Sequence, residues 1–230
     1  LYRFSRVPVC ADCLREPAPL TAEFFCLNCR TPFLNSFPLD SEGRCMLCRN
    51  GGRGFDEAFC YGAYEGTLRK LIHLFKYSGM RGLARPLGEL LADAVPRDRL
   101  FDAVTAVPLH WRRRWQRGYN QSELLGRIFA RRRGIPVLRL LRRGASTRAQ
   151  AGLSNSQRRE NVAGAFVARR RVAGMRILLI DDVMTTGATA SACARALKKA
   201  GARSVSVLAL ARVDRRFKDQ ADFGTRKGPV

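Results

Sequence analysis

The sequence predicts an α/β fold, a mostly parallel sheet flanked by helices, with a small cysteine-rich module in front of it. Three observations lead there. Short apolar runs alternate with stretches whose apolar residues recur at helical spacing. The run at 177–180 breaks off at two adjacent acids, and seven of the eight cysteines lie before residue 61. Strands alternating with helices imply a parallel sheet covered on both faces. A chain of 230 residues has room for one such domain and a small module beside it. The divisions expected are a module at 1–54, an α/β domain at 55–214 and a polar tail at 215–230.

Residues 1–54 show little apolar periodicity and too small a core to fold alone. Their six cysteines form three Cys-x-x-Cys pairs, Cys10/Cys13, Cys26/Cys29 and Cys45/Cys48. Each pair sets two thiolates on one turn, and Cys26-x2-Cys29-x15-Cys45-x2-Cys48 has the spacing of a structural Zn2+ site. Cys10-x2-Cys13-x12-Cys26-x2-Cys29 also fits four thiolates, but the preferred reading gives Cys10 and Cys13 a second site whose other half lies upstream of Leu1. Disulfides are the competing account. Regular pairs without a visible leader favour metal and a reducing, cytoplasmic compartment, although the chain opens on Leu1 rather than Met and a lost leader stays open. Cys60 and Cys193 read as small buried apolar residues. The stretch 50–54, Asn-Gly-Gly-Arg-Gly, marks the junction.

The α/β part opens at 55–64 with a strand or hairpin. Over 66–78, Leu68, Leu71, Ile72 and Phe75 fall on one helical face. A second helix spans 83–95, kinked or started near Pro86. Residues 102–107 form a strand stopped by Pro108. A helix follows at 120–133, capped by Asn120 and carrying Leu124, Leu125, Ile128 and Phe129 as its core stripe. A short strand at 165–168, a central strand at 176–180, a helix at 190–200 and a strand at 204–211 complete the pattern. No run approaches the ~20 apolar residues of a membrane span, so no integral membrane insertion is expected.

The strand at 176–180 stops on Asp181-Asp182, and a loop with Thr185, Thr186, Gly187, Ala188 and Thr189 leads into the next helix. This layout suits a phosphorylated sugar. Loop amides and threonine hydroxyls can wrap a phosphate at the positive end of a helix, and Gly187 lets the backbone approach closely. The two carboxylates can accept hydrogen bonds from adjacent ribose hydroxyls. A helix cap alone accounts for one acid or one threonine, not for the ordered string.

Lys plus Arg total 42 against 19 Asp plus Glu, a net charge of +23 spread in clusters over several segments. Such a field favours polyanions; an arginine-biased proteome accounts for the choice of Arg better than for the excess. One cluster, Arg112, Arg113, Arg114 and Arg117, interleaves with Trp111, Trp115 and Tyr119. Pro108 and Leu109 end a strand where exposed amides, with Arg112, Arg113 and Arg117, could neutralise a diphosphate. The interleaved aromatics equally suit stacking of unpaired bases. His110 reads as a satisfied loop residue rather than a phosphate donor.

The string from Ile177 to Thr189 resembles the signature of type I phosphoribosyltransferases, which bind 5-phosphoribosyl 1-diphosphate. Beyond it, three segments resemble the ComF/GntX family of phosphoribosyltransferase-like proteins associated with DNA uptake in natural transformation. These are the cysteine-rich start running into 64–77, the segment 107–122, and 147–166 with Gln150, Leu153, Arg158, Asn161 and Phe166. Family members often carry four Cys-x-x-Cys pairs where this chain has three, and 223–230 has no counterpart. The resemblance implies a type I phosphoribosyltransferase-like fold with Asp181 and Asp182 on the ribose hydroxyls, residues 185–189 on the 5′-phosphate, Pro108 and Leu109 in the diphosphate loop, and a mobile loop at 145–160. It implies Mg2+ with the phosphoribosyl diphosphate, and single-stranded DNA and other competence proteins as partners.

Two functions of different class remain. One is a phosphoribosyltransferase, a glycosyltransferase in which a nucleophile displaces diphosphate from C1 of the ribose; no residue announces itself as its general base, and the acceptor is not legible. The other is a non-enzymatic single-stranded-DNA-binding competence factor that keeps the sugar-phosphate pocket as a sensor or relic.

Overall fold

The computed structural model describes residues 9–144, 164–214 and 216. Element order is α1 (Ala11–Arg15), β1 (Phe24–Phe25), β2 (Pro32–Phe33), α2 (Met46–Arg49), β3 (Glu57–Ala63), α3 (Gly66–Tyr77), a 3-10 turn (Arg81–Leu83), α4 (Ala84–Asp93), β4 (Ala103–Ala106), α5 (Trp111–Arg117), α6 (Gln121–Arg133), β5 (Leu141–Arg143), β6 (Phe166–Ala168), β7 (Arg176–Met184), α7 (Ala188–Lys199) and β8 (Ser204–Arg212). The main sheet has the order β3-β8-β7-β4, and its described pairs are all parallel. Two small antiparallel pairs, β1-β2 and β5-β6, accompany it.

Strict alternation along β7 splits the core into two. Ile177 and Leu179 join Val205, Val207 and Ala209 under Cys193, Ala194 and Leu197 of α7. Leu178 and Ile180 join Val104, Leu208 and Leu210 against α3, α4 and α6. Both faces are therefore apolar, as a parallel sheet requires. Phe75, Leu71, Ile72, Leu87, Leu91, Leu125 and Phe129 are fully buried, each contributing about 1.5–3 kcal/mol relative to exposure.

The helical stripe expected on α3 is the buried one, Leu68, Leu71, Ile72 and Phe75. Residues 55–64 give a single strand rather than a hairpin, because β3 pairs with β8 along its length. Pro86 sits in the first turn of α4, where its missing N–H costs nothing. On α6, Leu125 and Phe129 are fully buried with Gly126 and Ala130, while Leu124 and Ile128 are half-buried.

One local reading is corrected, and two elements were not anticipated. β7 does not stop at Ile180; its ladder with β8 runs on to Met184↔Arg212. Residues 111–117, for which the sequence predicts no element, form helix α5, capped by His110 Nδ1 accepting from the Arg112 amide at 3.3 Å and closed by left-handed Gly118. β5 was not anticipated; it pairs with the expected short strand β6. The proposed mobile loop at 145–160, with Gln150, Leu153 and Arg158, lies outside the described residues, as do Asn161 and most of the 215–230 tail.

Residues 9–54 pack against the sheet rather than apart from it. Cys26, Cys29 and Cys45 share one apolar cluster with Ile177, Leu179 and Val207. The Asn28 carbonyl accepts from the Ala58 amide at 2.7 Å, and the Tyr61 hydroxyl donates to the Pro17 carbonyl at 2.8 Å.

Candidate phosphate-loop and cysteine sites

The site is built by a difference in strand length. β4 pairs with β7 as far as Ala106↔Ile180, and the Val107 amide adds one bond to the Ile180 carbonyl at 3.0 Å. Pro108 then turns the chain away. From Asp181 to Met184, β7 has β8 beside it but, among the described residues, no partner on the β4 side. The acidic pair thus stands on an open edge at the carboxyl end of the sheet, where ligands of parallel sheets bind.

Asp181 is half-buried, and its carboxyl is pushed up to about 7, first by burial and then by the charge of Asp182. The Asp182 amide donates to Asp181 Oδ1 at 2.9 Å. Asp182 itself is buried and pairs with Lys76 of α3, Nζ to Oδ1 2.9 Å. Lys76 escaped the sequence reading, yet a signal existed: it follows Ile72 by one helical turn, so a cation continues the apolar stripe of α3.

The loop at 185–189 leads into α7. Thr185 and Thr186 are exposed, and Ala188 and Thr189 half-buried. The Ala188 amide donates to Thr186 Oγ1 at 3.3 Å. Gly187, at φ 75°, occupies left-handed backbone that a side chain strains to adopt. Its absent Cβ leaves room for Arg53, whose Nη1 comes within 2.7 Å of where that atom would be.

Across the open edge, the Val107 carbonyl is held by Asn120 Nδ2 at 2.9 Å while Asn120 Oδ1 caps α6 by accepting from the Ser122 amide at 3.0 Å. One buried side chain thus fixes both the start of the Pro108-Leu109 turn and the start of a helix, the capping role expected of it. Trp111 is 67% exposed and Trp115 84%. The Arg112 guanidinium lies over the Trp111 ring at 5.3 Å, and Arg114 pairs with Glu123 at 3.4 Å. Arg117 is half-buried and donates to Gln121 Oε1 at 3.2 Å.

Tyr119 does not belong to this exposed set. Its ring is 7% exposed, packs on Phe75 and donates its hydroxyl to the Phe75 carbonyl. Its place two residues past the end of α5 turns it inward, so it is a core residue and not a stacking platform. A cavity of about 580 Å3 opens beside α5, lined by Arg114, Arg127, Arg139, Arg142, Arg143 and Arg169 among others, with Glu123 the acid in the lining. The sequence reading missed this cavity because its arginines come from α5, α6 and the segments in and flanking β5 and β6.

The four thiols of Cys26, Cys29, Cys45 and Cys48 all lie within 4.8 Å of one another. Cys29 and Cys45 Sγ are 3.7 Å apart, close to the edge of about 3.8 Å that a tetrahedron with Zn–S bonds of about 2.3 Å requires. Hydrogen bonds with Cys26, Cys48 and Thr31 hold the Cys29 thiol far below its usual range, and hydrogen bonds with Cys26 and Cys29 push Cys48 far above. A set with one thiolate stabilised by its neighbours fits a soft divalent ion. Cys10 and Cys13 stand outside the cluster: Cys10 Sγ instead caps α1, accepting from the Cys13 amide at 3.4 Å. The geometry therefore selects Cys45/Cys48, not Cys10/Cys13, as partner of Cys26/Cys29. Cys193 is buried as expected; Cys60 is half-buried, its thiol pushed up to about 12 by burial.

The phosphoribosyl transferase domain family matches residues 131–224. Competence protein F of Haemophilus influenzae is 36% identical over 179 residues, covering 73% of this chain and 78% of its own. DNA utilization protein YhgH of Escherichia coli is 32% identical over 211 residues, covering 89% and 90% respectively. The chain belongs to the ComF/GntX family.

Among solved structures, an adenine phosphoribosyltransferase of Thermoanaerobacter pseudethanolicus covers 63% of the chain and 77% of its own at 19% identity and a TM-score of 0.41. That likeness is too distant to inform the site. The ComF-family chain is phosphoribosyltransferase-like in its matched domain, and its cysteine cluster has the geometry to hold a metal ion. No helix among the described residues is long and apolar enough to cross a membrane.

Proposed function

We propose that this chain binds 5-phosphoribosyl 1-diphosphate with Mg2+, and that Asp181 and Asp182 hold the ribose hydroxyls. Residues 185–189 take the 5′-phosphate, and Pro108, Leu109 and Arg112 take the diphosphate. The observation that carries this reading is the extension of β7 past β4. It presents half-buried Asp181 and a helix-initiating loop on one open edge, with buried, Lys76-paired Asp182 beside them and the Pro108 turn across. Mg2+ when bound would neutralise diphosphate charge. The chain's own residues orient the sugar: Lys76 holds Asp182 in place through their ion pair, and Asn120 fixes the Pro108 turn. On this reading the chain acts as a phosphoribosyltransferase, an enzyme of glycosyltransferase type, in the cytoplasm. Calorimetric titration with phosphoribosyl diphosphate and Mg2+ tests it: wild type binds, and Asp181→Asn with Asp182→Asn loses at least about ten-fold in affinity, one charge-assisted bond's worth. Equal affinity in the two proteins overturns it.

A second reading is supported by α5 and the cavity beside it. Two exposed tryptophans among Arg112, Arg113 and Arg114, next to a cavity lined by six arginines, suit single-stranded DNA, phosphates in the basic cavity and bases on the rings. The names of the relatives, competence protein and DNA utilization protein, agree with a role in DNA uptake alongside other competence proteins. The two readings meet at Arg112 and at Pro108 and Leu109, the latter two also lining the basic cavity.

A further inference from the structure

Arg53 lies five residues after Cys48 and ends up inside the phosphate loop. Its Nη1 donates to the Thr186 carbonyl, its guanidinium lies over the Phe55 ring at 5.9 Å, and its Nε is buried without a hydrogen-bond partner. What places it is the cysteine turn. The Gly51 amide donates to the Cys48 carbonyl at 3.2 Å and the Gly52 amide to the Leu47 carbonyl at 2.9 Å, winding the chain back on α2 just before Arg53. Gly54 then packs so closely on α7 that a Cβ would collide with the Ser191 carbonyl. On the other side of the cluster, buried Arg212 at the end of β8 donates to the Cys29 carbonyl at 2.8 Å and to Thr31 Oγ1, and Thr31 Oγ1 lies 3.0 Å from Cys29 Sγ. The cysteine cluster is thus tied at two points to the sheet end that carries the loop.

We infer that Arg53 is a positioning residue of the sugar-phosphate site whose place is set by the metal on Cys26, Cys29, Cys45 and Cys48, so that metal occupancy controls the affinity of the loop for a sugar 5-phosphate. This rests on the phosphate-loop reading above. With the ion bound, the α2 turn is fixed, Arg53 clamps the Thr186 carbonyl, and a guanidinium charge stands beside the place of a dianion. With the ion removed, four crowded thiols lose the charge that holds them together, the turn loosens, and the clamp and its charge leave together.

The test uses the full chain, with zinc content measured, and ribose 5-phosphate as probe. Wild type, Arg53→Ala and Arg53→Lys are titrated calorimetrically before and after chelation. Arg53→Ala weakens binding about ten-fold or more, as loss of a charge-assisted contact does, and Arg53→Lys recovers part of it. Chelation weakens wild type to a similar level and adds little to Arg53→Ala, the non-additivity expected of two changes on one route. Chelation that weakens both proteins alike, or that leaves wild type unchanged, overturns the inference. Amide exchange at 185–189 without ligand gives an independent reading: chelation speeds it in wild type, while in Arg53→Ala it is already fast. If wild type does not bind ribose 5-phosphate, the phosphate-loop reading fails. The exchange experiment still decides the coupling, and unchanged loop exchange on chelation overturns it.

Discussion

The ammonium of Lys76 lies 2.9 Å from Asp182 Oδ1, with side chains only 14% and 13% exposed. The ion pair ties α3 to the end of β7. Lys76→Met leaves Asp182 buried and unpaired, at a cost of about 1–3 kcal/mol, less than for a pair wholly removed from water. Urea denaturation measures it. Adding Asp182→Asn recovers a large part of the loss, since the stranded charge is gone.

Asp181 gives the fold a pH dependence. Its carboxyl sits at about 7 in the folded chain against an ordinary 3.8, so between those values the folded state holds a proton that the unfolded state has released. Stability therefore falls as pH rises through that window and levels off above it. Asp181→Asn removes the effect: its melting temperature matches wild type near pH 4 and exceeds it at pH 8. Phosphoribosyl diphosphate affinity should run the other way in wild type, rising from pH 6 to pH 8 as the carboxylate becomes available to accept ribose hydroxyls.

Zinc analysis of protein purified under reducing conditions should give about one ion held by the four thiols. Cys29→Ser lowers the melting temperature of the whole chain, not just of residues 9–54, because Cys26, Cys29 and Cys45 share a core with the sheet. Cys10→Ser leaves zinc content and melting temperature close to wild type. Metal content unchanged in Cys29→Ser would count against the cluster.

Single-strand binding separates the aromatics. Trp111→Ala and Trp115→Ala each weaken it by ~1–3 kcal/mol, whereas Tyr119→Phe leaves binding intact. Tyr119→Phe instead costs about 0.5–1.5 kcal/mol of stability for the lost bond to the Phe75 carbonyl. Anisotropy on single strands, duplex and heparin across salt reads this, with a log–log slope of about −0.7 per phosphate contacted. Equal binding to all three polymers, untouched by the tryptophan changes, reduces the surface to plain electrostatics.

What the sequence disclosed was whatever periodicity and spacing encode. The stripe Leu68, Leu71, Ile72, Phe75 placed α3, and the apolar run before Asp181 placed β7, because burial imposes those repeats. The cap at Asn120 was legible from residue type alone. The end of β7 was misjudged because two acids resemble a stop signal, whereas a strand continues as long as a neighbour satisfies its ladder, which β8 does as far as Arg212. Helix α5 was missed since no apolar face marks it; its tryptophans point to solvent. Arg53 and the arginine-lined cavity depend on contacts between distant segments, which no local pattern carries.

The two-sided burial of β7 has a consequence for how this chain can vary. Ile177 and Leu179 belong to one core, Leu178 and Ile180 to the other. An Ile→Val exchange at any of these costs about 0.5–1.5 kcal/mol. Losing or gaining one residue between Arg176 and Ile180 is of another kind, since it would send every apolar side chain of the segment into the opposite layer at once. Insertions and deletions are therefore shut out of this stretch while substitutions are not. The distance from the strand's entry to Asp181 is in effect a counted length, a ruler that sequence drift can recolour but not shorten.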